Sequence, residues 1–129
     1  MKKAVRRSRK KPASTAALST ELALVVGAAA DKKSLDLIVL DLRKGLAFTD
    51  FFVICTGANT RQVQAIADGI QEALRKHGTK PALIEGVQRG EWILIDYFDF
   101  VVHIFTPATR EFYSLEKLWG DAERIEIPA

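Results

Sequence analysis

Apolar positions along the chain follow two periods, 3.6 and 2, and each change of period marks an element boundary. Leu22, Val25, Val26 and Ala29 recur at helical spacing behind Ser19 and Thr20, either of which can cap a first turn, and the helix should end near Lys32–Ser34. Leu35–Asp41, with its apolar run Leu37–Leu40, and Phe51–Thr56 read as strands. Only Leu42–Asp50 joins them, shorter than the dozen or more residues a parallel crossover needs, so the two are antiparallel if they pair directly. Gly57 breaks the second strand, and Asn59 with Gln62 resembles a capping box. Val63, Ile66, Ala67, Ile70, Ala73 and Leu74 then form the stripe of a helix that Gly78 stops. Pro81–Val87, Glu91–Asp96 and Phe100–Thr106 are three short strands, joined by a Gln88-Arg89-Gly90 turn and by Tyr97–Asp99. Pro107 opens a last helix, with Phe112, Leu115, Leu118 and Trp119 on one stripe.

The order α-β-β-α-β-β-β-α, without an internal repeat, predicts an α/β domain: a mixed five-stranded sheet with flanking helices. The step from Phe51 to Val87 is expected to be a right-handed parallel crossover. A chain of 129 residues fits one core. The expected division is a disordered basic tail over 1–17, the domain over 18–121 and a C-terminal extension over 122–129.

Charge changes this picture. Seven of the 19 Lys and Arg residues lie in the first 11 positions, where there is no acid. The remaining 12 cations face 16 acids, so a body of net charge −4 carries a basic tail. A body of that sign is poorly suited to hold phosphate backbones. The tail itself stays open to three readings: a solvated arm, a weak contact to ribosomal RNA, or a transit peptide without the usual apolar face. The lone Cys55 excludes an internal disulfide and fits a reducing compartment. No apolar run has membrane length, and Pro12–Ala17 is too polar for an export signal, so the cytoplasm is expected and a membrane is not.

Candidate chemistry is sparse. Thr56–Thr60 is a strand–Gly–helix junction whose backbone N–H groups could hold a phosphate, but it has one glycine, no GxGxxG and no P-loop lysine. No Asp-x-Asp pair stands on a following strand, as metal-assisted phosphoryl transfer would want, and Asp96 and Asp99 more simply bond turn backbone. No catalytic residue, metal or cofactor is therefore expected. His77 lies at a helix C-terminus and reads as exposed, and Cys55 reads as a packed thiol. His103 stands mid-strand, with Val101 and Phe105 on its face and Val102 and Ile104 on the other; it is open between a structural role and a partner contact. Trp92, at a strand start, is open between core packing and an interface, while Trp119 reads more simply as helix-to-sheet packing. Arg110 opens the last helix, where it could anchor a carboxylate or phosphate.

Six blocks resemble the ribosomal silencing factor family, also called the Iojap family. They are Leu40–Arg43, Thr49–Gly57, Ile66–Asp68, Glu85-Gly86 with Glu91–Asp96, Val101–Phe105, and Arg110–Trp119, and the resemblance as a whole covers roughly Leu22 to Asp121. The resemblance implies a nucleotidyltransferase-like fold without that superfamily's catalytic carboxylates. It implies a protein that binds the large ribosomal subunit through its fourteenth protein, keeps the small subunit away and lowers translation when nutrients are scarce. It also implies a homodimer in many members. Trp92 becomes the expected partner-binding residue, supported by Glu85, Asp96, Tyr97, His103 and Arg110. The Tyr97-Phe98-Asp99 turn departs from the family's usual Gly-Asp, and the basic tail has no general counterpart. The alternative function is a nucleotidyltransferase-like enzyme using the Thr56–Thr60 turn.

Overall fold

Ser19 opens α1 (Thr20–Asp31): its hydroxyl accepts the Leu22 N–H at 3.2 Å, and Leu22, Val25 and Ala29 turn inward. In this computed structural model residues 18–45, 47–125 and 127 are described, so the expectation of a disordered tail over residues 1–17 lies outside them. Asn59 caps α2 (Thr60–Lys76), its Oδ1 accepting the Gln62 N–H at 2.9 Å. Gln62 Oε1 reaches back to the N–H of Ala58, one residue earlier than in the usual box. The Gln62 amide nitrogen donates to the Lys32 and Lys33 carbonyls at 3.1 and 2.9 Å, which ties the start of α2 to the end of α1. Val63, Ile66, Ala67, Ile70 and Leu74 are buried as their spacing requires. Gly78, at φ +92°, takes the left-handed conformation that ends the helix.

The strands are β1 (Leu35–Asp41), β2 (Phe51–Thr56), β3 (Leu83–Glu85), β4 (Trp92–Asp96), β5 (Phe100–Phe105) and β6 (Glu123–Ile125). They form one mixed sheet in the order β3-β4-β5-β2-β1-β6. β1 and β2 pair antiparallel, as the short connection demands. Among the described residues no helix is long and apolar enough to cross a membrane.

Three details correct the expectations. The sheet has six strands, not five, because β6 adds antiparallel to β1 through Val39–Ile125 and Asp41–Glu123. Its three residues are too few to show a period, and they lie in the expected C-terminal extension. Second, the parallel neighbour of β2 is β5, not β3. β3 runs in the same direction as β2 but at the far edge, with β4 and β5 between them. Third, the last helix is two: α3 (Pro107–Tyr113) and α4 (Leu115–Leu118), broken at Ser114, whose φ of +49° is left-handed. The break dissolves the expected stripe, leaving Phe112 and Leu118 79% and 73% exposed while Leu115 and Trp119 still pack on the sheet.

The sheet therefore separates two apolar clusters. α1 and α2 cover one face and bury Val53, Cys55, Ile93, Ile95, Val102 and Ile104. α3 and α4 cover part of the other, over Leu40, Phe52, Ile54, Val101 and Phe105.

Candidate functional site

Strand register decides which side chains meet on the second face. Glu85, Leu94, His103, Ile54 and Ile38 form one row across β3, β4, β5, β2 and β1. Leu83, Asp96, Val101, Phe52 and Leu40 form the next, and Trp92 stands opposite Phe105 in a third. Four of the six expected site residues, Glu85, Trp92, Asp96 and His103, thus share a face. At its β3–β4 edge two acids alternate with two leucines, Leu83 opposite Asp96 and Glu85 opposite Leu94. Leu83 and Glu85 are exposed; Trp92, Leu94 and Asp96 are half-buried.

Trp92 is held from several sides. Its Nε1–H donates to His103 Nδ1 at 3.1 Å, and its ring lies 4.7 Å from that of Tyr113 and 5.1 Å from that of Phe105, centroid to centroid. His103 is 4% exposed, and burial pushes its pKa down to about 4, so it stands neutral with the proton on Nε2. Nε2 has no hydrogen-bond partner, and the imidazole instead meets Phe52 edge-on at 4.5 Å. His103 is thus buried, and it touches the strand-end tryptophan instead of solvent.

Tyr97 and Arg110 do not join this surface. Tyr97 follows Asp96 by one residue and so turns to the helix-covered face, where it is 6% exposed and packs on Phe100. Burial, with the charge of Glu21, pushes its hydroxyl up to about 12. Arg110 is engaged within the fold: Nε and Nη2 grip Glu116 at 2.9 and 2.7 Å, and Nη1 donates to Thr56 Oγ1 at 2.9 Å and to the Asp36 carbonyl at 2.7 Å. Burial would raise the Glu116 carboxyl, but the Arg110 hydrogen bond and charge outweigh it and hold the group below its ordinary value. Arg110 thereby pins α3 and α4 to the ends of β1 and β2.

Asp96 Oδ1 accepts the Phe98 N–H at 2.8 Å, the turn-bonding role its position suggested, and leaves its second oxygen outside that bond. The turn departs from the usual Gly-Asp by placing Phe98 at φ +73° with its ring 74% exposed. Gly86 supports the face from below. Its φ is +85°, and a Cβ there would stand 2.0 Å from the Trp92 carbonyl oxygen, so no other residue fits beside Trp92.

The Thr56–Thr60 junction has several of its donors in use. The N–H of Gly57 goes to the Phe105 carbonyl at 2.9 Å, that of Ala58 to Gln62 Oε1 at 2.6 Å and that of Gln62 to Asn59 Oδ1. Among the described residues no three His, Cys, Asp or Glu side chains converge as a metal would require. Cys55 is fully buried and its thiol is pushed up to about 12 by that burial. His77 is exposed after α2.

Sequence reading missed Leu94, Leu83 and Tyr113 as members of this face. Alternation from Trp92 could have found Leu94; nothing local in the sequence sets Tyr113, the last residue of α3, against Trp92. The fold and this face define a small α/β domain that offers a half-open aromatic surface edged with carboxylates.

Known proteins resolve the class further. The family model described as "Ribosomal silencing factor during starvation" matches residues 15–129. A ribosomal silencing factor from Halalkalibacterium halodurans is 41% identical over 82% of this chain and 91% of its own length. A mouse protein named mitochondrial assembly of ribosomal large subunit protein 1 is 30% identical over 84% of this chain and 49% of its own length. A crystal structure from Chromobacterium violaceum superposes with a TM-score of 0.75 at 36% identity, over 84% of this chain and 88% of that one. The chain belongs to the ribosomal silencing factor family.

Proposed function

We propose that the protein represses translation by docking on the large ribosomal subunit, through its fourteenth protein, and excluding the small subunit when nutrients are scarce. The observation that carries this reading is the uncovered half of the sheet, where Trp92, Leu94 and Leu83 lie beside Glu85 and Asp96. A contiguous apolar patch rimmed by charge is the usual form of a protein interface, and a half-buried tryptophan is the usual form of its anchor. The relatives' names point to ribosomes as the target. In this reading Trp92 and Leu94 supply buried area, Glu85 and Asp96 fix register, and Arg110 acts at a distance by holding the α3–α4 cover in place. His103 and Tyr97 support from within.

The mechanism is steric. No bond is made or broken, and the seated body occupies space that the small subunit needs. The site of action is the cytoplasm, where the ribosomes are. Docking through an acidic face suits a basic protein surface better than bare RNA.

The test is co-sedimentation of the full chain with purified large subunits, small subunits and whole ribosomes at moderate salt. Binding to large subunits alone, with slower subunit joining, is expected. Trp92→Ala should cost at least about 2 kcal/mol of that binding, roughly thirtyfold, with an unchanged circular dichroism spectrum. Normal joining by large subunits that carry the protein would remove the steric mechanism.

A further inference from the structure

The proposed docking reading leaves one question that the geometry can answer: why a buried imidazole stands where a phenylalanine would pack without an orphaned nitrogen. His103 sits in a row of Leu94 and Ile54, with Phe52 edge-on at 4.5 Å and Phe105 stacked at 6.2 Å. Its Nε2 is buried without a partner, which costs stability that an apolar side chain would not. Among the described residues its imidazole makes one hydrogen bond, accepting the Trp92 indole N–H at 3.1 Å.

That contact has a consequence for recognition. A surface tryptophan ordinarily offers its N–H to a partner and so selects a socket that contains an acceptor. Here the donor is consumed inside the fold, and every other indole atom is carbon. What Trp92 leaves uncovered is therefore hydrocarbon, presented at a fixed angle by one hydrogen bond and by the flanking rings of Tyr113 and Phe105.

We infer that His103 is a positioning residue that turns the Trp92 N–H inward, so that the anchor fits an apolar socket that supplies no acceptor. This rests on the reading of Trp92 as the anchor. His103 never touches the partner. Its contribution is preorganisation: the indole is already in its bound orientation, and the free protein has no donor to desolvate when the face is covered.

A double-mutant cycle on the full chain with purified large subunits tests this. His103→Phe keeps ring volume and removes the acceptor; Trp92→Phe removes the donor. The inference expects His103→Phe to weaken binding about tenfold in the Trp92 background and less than twofold in the Trp92→Phe background, because there is no N–H left to orient. His103→Asn, whose Oδ1 can stand near the Nδ1 position, should recover more than half of that loss on a logarithmic scale. The indole N–H resonance of Trp92 should exchange slowly with water in the native protein and in His103→Asn, and fast in His103→Phe. Equal losses in both backgrounds would overturn the inference and leave Trp92 as the anchor, since a merely structural histidine acts whatever residue stands at 92. No loss from Trp92→Ala would instead remove the anchor reading itself. Should His103→Phe fail to fold, slow exchange of the native indole together with binding by His103→Asn within about threefold of native supports the inference, and rapid exchange of the native indole or a larger loss in His103→Asn overturns it.

Discussion

The two faces of the sheet are made by the same alternating strands, yet one is sealed and the other half open. α1 and α2, of 12 and 17 residues, lie over the first face and bury its side chains. α3 and α4, of 7 and 4 residues and interrupted at Ser114, cover the β1–β2–β5 part of the second and touch β4 at Trp92 through Tyr113. Both faces have the apolar alternation of a buried sheet surface. What separates them is helix length: α2 reaches about 25 Å, α3 only about 10 Å. A sheet face can therefore be left open by shortening its cover, without changing the strands beneath.

Substitution should read out that contrast, and the largest effect lies on the sealed side. Ile70→Ala removes a fully buried side chain between α2 and the sheet. It should cost about 3–4 kcal/mol, read as a lower urea midpoint, with little effect on binding beyond the loss of folded protein.

Acid should act on the open side. His103 has a pKa pushed down to about 4 by burial, against 6.5 for an unperturbed histidine. As pH falls below 6.5 the unfolded chain takes up this proton and the folded one does not. Stability present above 6.5 is thus lost between about 6.5 and 4, by on the order of 3 kcal/mol from this residue. Urea midpoints measured across that window should fall more steeply in the native protein than in His103→Phe. The sealed side titrates in the opposite direction. Tyr97, raised to about 12, holds its contribution below pH 10 and gives it up as pH climbs toward 12.

The smallest effect is expected at the rim. Phe112 is 79% exposed on α3, where its ring packs edge-on against Tyr113. Phe112→Ser should change stability by less than about 0.5 kcal/mol, read by thermal melting. A loss above about 2 kcal/mol would mean that the second face is more fully closed than this structure has it.

Most of the fold was legible because its signals are local. Asn59, the stripe from Val63 to Leu74 and Gly78 specify α2 without help from the rest of the chain, and the short Leu42–Asp50 connection fixes the antiparallel pairing of β1 with β2. The missed features are tertiary. β6 has only three residues and gains its structure by pairing with β1. The break at Ser114 falls on a residue that rarely adopts positive φ, in a stretch with good helical spacing. The candidate face was legible in part. Alternation places Trp92, Leu94 and Asp96 together and sends Tyr97 to the other side, a conclusion available from the sequence but not drawn from it. Arg110 was the reverse case: its partners Thr56 and Glu116 are 54 and 6 residues away, and nothing local announces that they are already bound to it.

The burial of Cys55 gives the molecule a practical property. Its sulfur is the only one of its kind in the chain, fully enclosed and held protonated far above neutral pH, so it is inert to maleimide reagents in the native state. A single cysteine placed on the outer edge, as in Glu123→Cys, would then take a fluorophore selectively. That edge lies five strand spacings, about 24 Å, from β3, so a dye there would report arrival and departure without obstructing either.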